Sequence, residues 1–317
     1  MKKQVRFIAL TVLTMVLMAC GVEENSLEGG DTYTVGILQF MEHQSLTAAK
    51  DGFMAELEES DLNIEFDVMN GQGDQSNLQS MSEQLSDNTD LMLAIATPAA
   101  QALATVEQEK PVLFTAVTDP EDAGLVESND TPGGNITGTS DMVPIDQQIA
   151  LLLSIVPDAQ TIGIIYSSSE PNSQIQADLA IEVLEAADVN VEVATVSSTN
   201  DVQQVVTSLA SSIDGLYIPT DNTIASTIAT VGEVAREYQI PVVGGDSNQV
   251  DGGALATYGI SYEELGRQTG RMAIEILQNG LFPSDIAVET SDNLELAVNN
   301  DMAEALGIDA NSISMDD

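Results

Sequence analysis

Two apolar runs in the middle of the chain, residues 91–97 and 111–117, place the strongest constraint on its fold. Runs of this length and composition are typical of strands buried on both faces of a parallel sheet. A helix is predicted between them, opening on Pro98, because proline fits the first helical position, where no N–H is needed. Open α/β sheets bind ligands outside the carboxyl ends of their strands. Since Thr118 and Asp119 end the second run at that edge, the sequence predicts a small-molecule cleft there.

The alternation of strand and helix recurs in two series along the chain, which predicts two similar lobes. Crossovers are expected near 141–145 and 259–262, after which the tail returns to the first lobe with a last strand at 294–299. We therefore predict an α/β fold of two Rossmann-like lobes joined by a multi-strand hinge. Lobe 1 comprises residues 33–141 plus 262–317, and lobe 2 comprises residues 142–261.

The first twenty residues have the pattern of an export signal. Three basic residues precede an apolar run at 7–18, which has the length of a signal-peptide core and is short for a membrane span. The run ends in Leu-Met-Ala-Cys, which resembles a bacterial lipobox, although an ordinary signal peptide with a chance cysteine is the alternative. We expect a lipoprotein signal peptide at 1–19, lipidation of Cys20, and an acidic flexible tether at 20–32. The mature protein is then lipid-anchored at the cell surface, on the outer face of the cytoplasmic membrane.

The mature chain is extremely acidic, with 5 basic residues against 51 acidic ones and a net charge of −46. No basic patch is left to neutralise phosphates, so nucleic acid is excluded as a partner. An anionic membrane repels the protein body as well, which leaves anchoring to the lipid. The acids are scattered, so a surface adapted to high salt or high pH is favoured over a site for a cationic ligand.

The sequence lacks the motifs of the common enzyme classes. Cys20 is the only cysteine and His43 the only histidine, so neither disulfides nor a histidine-based triad or metal site is expected. Gly71 and Gly73 alone are a weak signal for a nucleotide loop, and no nucleophile elbow is present. We predict that the protein is not an enzyme and needs no cofactor or metal.

Nine stretches of the chain resemble ABC transporter substrate-binding lipoproteins of the tryptophan/tyrosine-binding group, which have the type I periplasmic-binding-protein fold. Examples are VGILQFMEHQSL and LAIATPAAQALA; the stretches lie at 35–46, 70–79, 93–104, 114–126, 132–141, 162–173, 196–204, 217–226 and 256–270. The acidic surface departs from that group, whose members carry many lysines.

The resemblance implies a monomeric binding protein whose two lobes close on an amino acid and deliver it to an ABC permease. The first expectation for this ligand is an aromatic amino acid. A binding protein for a sugar or another small molecule, or a ligand sensor on the same fold, remains the alternative. An extracellular enzyme is less favoured. The absence of tryptophan counts mildly against a sugar, because sugar-binding relatives usually hold the ring between aromatic side chains.

An α-amino acid needs a site for its carboxylate and a site for its ammonium group. The helix N-terminus after residues 91–97 fits the carboxylate, through the N–H groups of Ala99 and Ala100 and the hydroxyl of Thr97, unless it is a plain capped helix. The ammonium group needs a buried carboxylate. The first candidate is Asp221 and the others are Asp141 and Asp246, although each can instead cap the following helix. Further candidates for ligand contact are Phe40, which could stack on a side chain, and Glu42, Asn70, Thr118, Asn172 and Tyr258.

Overall fold

The buried apolar runs become the central strands of the first of two sheets. The computed structural model describes residues 32–291 and 293–315, and twelve strands lie within these residues. In chain order they are β1 (Thr32–Gln39), β2 (Asn63–Asn70), β3 (Leu91–Ile95), β4 (Val112–Val117), β5 (Ile136–Ser140), β6 (Thr161–Ser167), β7 (Asn190–Val196), β8 (Gly215–Tyr217), β9 (Val242–Val243), β10 (Ala256–Gly259), β11 (Glu289–Thr290) and β12 (Glu295–Val298).

Helices separate most of these strands, and their apolar stripes face the sheets. In the first helix, for example, the apolar residues that recur at helical spacing in the sequence are buried: Leu46, Ala49, Phe53 and Leu57. The helices in chain order are α1 (Gln44–Glu58), α2 (Gln75–Asn88), α3 (Thr97–Val106), α4 (Ile145–Ile155), α5 (Pro171–Ala186), α6 (Val202–Ala210), α7 (Asn222–Ala225), α8 (Ile228–Tyr238), α9 (Ser247–Gly252), α10 (Tyr262–Asn279) and α11 (Asn300–Leu306), with 3-10 turns at Pro283–Asp285 and Ala310–Ser312.

The strands form two six-stranded sheets, in the orders β11-β5-β4-β3-β1-β2 and β12-β10-β9-β8-β6-β7. All neighbours in the first sheet are parallel. In the second sheet only the pair of β10 and β12 is antiparallel among the described strands. The predicted fold of two doubly wound α/β sheets is confirmed. We call the first sheet with α1–α3 and α10 lobe 1, and the second sheet with α4–α9 and α11 lobe 2.

The end of the chain differs from the sequence prediction. Helix α10 packs on α1 and β11 pairs with β5, as expected for a return to lobe 1. The last strand, β12, instead pairs with β10 of lobe 2, and α11 packs on α8 of the same lobe. The assignment of the whole of 262–317 to lobe 1 is therefore corrected from β12 onwards. Periodicity predicts a strand but not its partner, which is chosen by tertiary contacts.

The carboxyl ends of β3 and β4 have unusual backbone geometry. Ala96 follows β3 with φ of 82°, and Ala116 in β4 has φ of 58°, beside a register shift between β4 and β5. Positive φ is costly for residues other than glycine, and such strain clusters at functional sites. Helix α3 begins at Thr97, one residue before the predicted opening at Pro98.

The described helices include no segment long and apolar enough to cross a membrane. Within the same residues, no group of three or more histidine, cysteine and acidic side chains could hold a metal ion.

Candidate binding site

A small cavity lies between the two lobes, at the carboxyl ends of their strands. Its space for a water-sized sphere is about 10 Å³, close to what one water molecule needs. Both lobes contribute to its walls. The lining residues are His43, Ser45, Leu46, Ala116, Asp141 and Tyr262 from lobe 1 and Asn172, Thr220, Asp221, Asn222, Ala225, Asp246 and Gln249 from lobe 2.

Hydrogen bonds join the lobes across this cavity. The Ser45 hydroxyl donates to Asp246 Oδ1 over 3.0 Å, and His43 Nε2 lies 3.1 Å from Asn222 Oδ1. Deeper in the interface, Gln176 of α5 donates to the hydroxyl of Thr118 over 3.4 Å. With these contacts made, the lobes are closed on one another, and a larger molecule enters only when they separate.

Three aspartates of the cavity wall, Asp141, Asp221 and Asp246, are almost fully buried. Burial removes water from a carboxylate and disfavours its charged form. It raises the pKa of Asp246 to about 6 and that of Asp221 to about 7, where the charge of Glu170 adds to the effect. Burial also raises the pKa of Asp141. The cavity therefore concentrates acidic groups that a bound cation would stabilise in their charged forms.

Asp221 and Asp246 have structural roles of their own. Asp221 accepts hydrogen bonds from the N–H of Ser167 over 2.6 Å and of Ile224 over 2.8 Å, so it caps α7 and ties it to β6. Asp246 caps α9 by accepting from the N–H groups of Asn248 and Gln249, in addition to its bond from lobe 1. The capping alternative of the sequence analysis thus describes both residues, and Asp221 loses its place as first candidate for the ammonium group.

Asp141 keeps one carboxylate oxygen without a partner. Its Oδ2 accepts a hydrogen bond from the Tyr262 hydroxyl over 2.5 Å. Its Oδ1 is buried and has no partner at hydrogen-bond distance among the described residues, although the Thr118 hydroxyl is close enough to the carboxyl to oppose the rise of its pKa. A buried, unpaired carboxylate oxygen is costly unless something donates to it. Asp141 is therefore the carboxylate of this cavity best placed to bind a cationic donor.

Two further acceptor atoms in the cavity wall are buried and, within 32–291 and 293–315, have no hydrogen-bond partner: Asn172 Oδ1 and His43 Nδ1. The Asn172 amide nitrogen donates to the Thr220 carbonyl, which leaves its oxygen as an acceptor. We call Asp141 Oδ1, Asn172 Oδ1 and His43 Nδ1 the open acceptors. Since all three accept and none donates, they match a ligand rich in N–H or O–H groups.

The predicted carboxylate site at α3 is not formed in this arrangement. The N–H groups of Ala99 and Ala100 both donate to the Ala96 carbonyl, so neither is open to a ligand. The Thr97 hydroxyl is buried and has no partner in the described part of the chain, but Thr97 is not among the residues that line the cavity. No side chain caps α3 either, because its N-cap residue, Ala96, makes no side-chain hydrogen bond, so the capped-helix alternative is not formed and the role of this end of β3 stays a prediction.

Several other predicted contacts lie outside the cavity wall. Phe40 is buried in the core, Glu42 is exposed, Asn70 closes its own turn by accepting from the N–H of Gln72, and Tyr258 is half-buried. Of the twelve predicted ligand residues, four line the cavity: Asp141, Asn172, Asp221 and Asp246. Their role in binding stays a prediction, and Cys20 lies outside the described residues.

Sequence reasoning missed Tyr262, Ser45 and Asn222, which line the cavity, and Glu170, which is buried behind it. Glu170 and Asn222 each follow the carboxyl end of a lobe 2 strand, as Asp221 does, and position at such an end is a criterion for ligand-binding residues in an open α/β sheet. Applied to every polar residue and not only to aspartates, that criterion would have found them. Tyr262 and Ser45 begin long helices, and nothing local in the sequence marks them.

Comparison with known proteins identifies the family. A family model described as ABC transporter substrate binding protein matches residues 34–314. This chain belongs to that family. A tyrosine-binding protein of Clostridioides difficile (strain R20291) is 42% identical over 277 residues, which cover 86% of this chain and 80% of the relative.

Solved structures of substrate-binding relatives share the fold. An ABC domain from Streptococcus pneumoniae in complex with L-Trp is 38% identical, with a TM-score of 0.83 over 88% of this chain and 96% of that one. The ligand-free, open structure of a Clostridium difficile substrate-binding protein with adhesive properties is 42% identical, with a TM-score of 0.68 over 87% of this chain and 95% of that one. The more identical relative, whose structure is described as open, superposes less well on the closed lobes of the present structure.

Proposed function

We propose that this substrate-binding protein closes on an aromatic amino acid, tyrosine or tryptophan first, and delivers it to an ABC permease as a monomer without catalytic activity. The tyrosine-binding relative and the L-Trp complex support this class of ligand. The observation that carries the proposal is the buried Asp141 carboxylate, whose Oδ1 has no partner among the residues described. An α-ammonium group supplies the charge and the donors that this oxygen requires.

The rest of the cavity suits the same ligand. Asn172 Oδ1 offers a neutral acceptor for a second ammonium N–H, while Leu46, Ala116 and Ala225 give the wall its apolar parts. A sugar carries no charge, so it would leave the buried aspartates uncompensated. Closure around an ammonium group therefore gains more than closure around a neutral ring.

The first experiment is calorimetric titration of the mature protein with L-tyrosine and L-tryptophan, repeated on Asp141→Asn. A hydrogen bond to a charged group is worth about 1.5–3 kcal/mol, so the variant should bind about ten- to a hundred-fold more weakly. Its melting temperature without ligand should not fall, because the substitution removes a buried charge and keeps an acceptor for Tyr262.

The matched control is Asp74→Asn, which changes a capping aspartate of α2 outside the cavity wall. Asparagine caps helices as well as aspartate does, so neither stability nor affinity should change. Equal affinity of Asp141→Asn and the parent protein would remove the proposed ammonium site. Binding of sugars in place of amino acids would replace the proposed ligand and leave the family unchanged.

We also propose that Cys20 carries the lipid that holds the protein at the outer face of the membrane, since residues 1–19 have the signal-peptide pattern described above. Cells grown with labelled palmitate should incorporate label into the parent protein and not into Cys20→Ser. Release of that variant into the medium is expected, because the acidic body has no affinity for an anionic surface. Label retained in Cys20→Ser would contradict the proposal.

A further inference from the structure

Glu170 is a buried carboxylate that contacts the cavity only through another residue. It follows β6, is 2% exposed, and accepts four hydrogen bonds from the start of α7. Two come from the N–H and side-chain amide of Asn222, at 3.0 and 2.6 Å, and two from the N–H and hydroxyl of Thr223, at 2.9 and 2.7 Å. All four bonds require Glu170 to accept.

These bonds determine how the Asn222 side chain is turned. Because its amide nitrogen donates to Glu170, its carbonyl oxygen faces lobe 1 and meets His43 Nε2 at 3.1 Å. A carbonyl oxygen only accepts, so Nε2 carries the proton of the imidazole. Burial lowers the pKa of His43 to about 4, against the opposing effect of the Asn222 hydrogen bond, so the ring is neutral at pH 7.

A neutral ring with its proton on Nε2 leaves Nδ1 as a lone-pair acceptor. Nδ1 is buried, lies in the cavity wall, and has no partner in the part of the chain that the structure describes. The ligand's ammonium group is satisfied by the charged Asp141, whereas His43 is uncharged. An uncharged donor, such as a phenol O–H or an indole N–H, is the natural partner for Nδ1.

We infer that His43 Nδ1 accepts a hydrogen bond from the ring of the bound amino acid, and that Glu170 acts as a positioning residue that holds His43 in the required tautomer through Asn222. This inference rests on the proposed function and extends it to selectivity. Phenylalanine has no ring donor and would leave Nδ1 buried and unpaired. The site should therefore favour L-tyrosine and L-tryptophan over L-phenylalanine by about ten-fold or more.

The first test is calorimetric titration with these three amino acids, for the parent protein, His43→Leu and Glu170→Gln. His43→Leu removes the acceptor, so the preference for tyrosine over phenylalanine should disappear. Glu170→Gln keeps the size of the side chain but adds a donor, which frees the Asn222 amide to turn over and present its nitrogen to His43. The preference should shrink in this variant although residue 170 does not line the cavity.

The second test reads the tautomer directly by nitrogen NMR, which is unambiguous because the chain has one histidine. The parent protein should show a proton on Nε2, and Glu170→Gln should shift the proton toward Nδ1. The control is Glu192→Gln, an exposed glutamate of the same lobe, which should leave both the spectrum and the selectivity unchanged.

The outcomes separate the two proposals. Equal binding of tyrosine and phenylalanine by the parent protein, or a proton on Nδ1, overturns the role of His43 and leaves the proposed function in place. Failure to bind any aromatic amino acid overturns both. Should Glu170→Gln fail to fold, the parent selectivity and the parent tautomer still decide the inference.

Discussion

The ionisable side chains around the cavity all favour their neutral forms when the lobes are closed. Burial lowers the pKa of His43 to about 4 and raises the pKa of Asp246 to about 6. In the closed arrangement the imidazole therefore holds fewer protons than it would in water, while the carboxylates hold more. The histidine and the aspartates thus make closure depend on pH in opposite directions.

For His43 the expected effect follows from its two pKa values. An imidazole in water has a pKa of about 6.5 and takes up a proton below that value, whereas the closed cavity excludes the proton until about pH 4. Closure is thus fully favoured by His43 above pH 6.5 and loses this contribution as pH falls toward 4. Tyrosine affinity should drop by about twenty-fold between about pH 7 and pH 5 from this residue alone.

Calorimetry on the parent protein and His43→Gln at both pH values measures that contribution. Asp141, Asp221 and Asp246 titrate in the opposite direction but are present in both proteins, so the difference between the two profiles isolates the imidazole. Parallel profiles would show that His43 does not exchange a proton on closure.

Residue roles could be predicted from the sequence only where the partner is local. The capping of α9 by Asp246 involves residues two and three positions ahead, and the sequence analysis offered it as an alternative. That Asp221 is held by the N–H of Ser167, 54 residues earlier, has no local signal. The choice of Asp141 over Asp221 therefore required the folded structure.

Helices α1 and α10 pack against each other backbone to backbone. A Cβ atom on Gly266 would lie 1.9 Å from the Ala49 carbonyl oxygen, and one on Gly52 would lie 2.1 Å from the Glu263 carbonyl oxygen. Both helices begin at the cavity, α1 beside Ser45 and α10 at Tyr262. Their separation therefore sets the position of two residues that bond the cavity aspartates.

Gly266→Ala should destabilise the protein by about 2 kcal/mol or more, since the added methyl group must push the helices apart. Urea denaturation measures the loss. The control is Gly134→Ala, where a Cβ meets no atom within 4 Å and should leave stability nearly unchanged. An equally stable Gly266→Ala would mean that the helices separate without cost, and tyrosine affinity should then be measured to see whether the cavity moved with them.

At the scale of elements the sequence predicted burial better than pairing. Leu265, Met272 and Ile276 recur at helical spacing in the sequence and are buried in α10, and such a stripe is predictable because helical periodicity is local. The prediction that β12 belongs to lobe 1 was wrong, because the edge of either sheet could pair with a strand of this length and the sequence does not show which one does. The close contact of α1 with α10 was not predicted, because small residues on two helices do not reveal that they face each other.

Charge is the dominant property of the whole molecule. Four of the five basic residues after residue 20 have local partners: Lys50 lies 3.2 Å from Asp51, Arg267 bonds Glu56 and Glu59 across α1 and α10, Arg271 lies 3.8 Å from Glu56, and Lys110 donates to two carbonyls at the end of α2. Most of the 51 acidic residues therefore have no basic counterpart anywhere in the sequence. Their mutual repulsion opposes the folded state.

Salt should stabilise this protein strongly. At about 1 M ionic strength the screening length falls to about 3 Å, which removes most repulsion between exposed carboxylates. The melting temperature should rise steadily from low salt to about 1 M sodium chloride. Near pH 5 the rise should be smaller, because part of the charge is already neutralised. A melting temperature that is independent of salt concentration at pH 7 would contradict this account of the acidic surface.

The pairing of β11 with β5 and of β12 with β10 has a consequence for folding during synthesis. The ribosome synthesises the chain from its amino end, so each sheet lacks one edge strand until residues 289–298 have emerged. Contacts between such distant parts of a chain form slowly. A nascent chain halted before Glu289 would lack β11 and β12, which would leave the edges of β5 and β10 exposed to pairing with other chains. Both sheets are therefore completed together, when the last part of the chain has been synthesised.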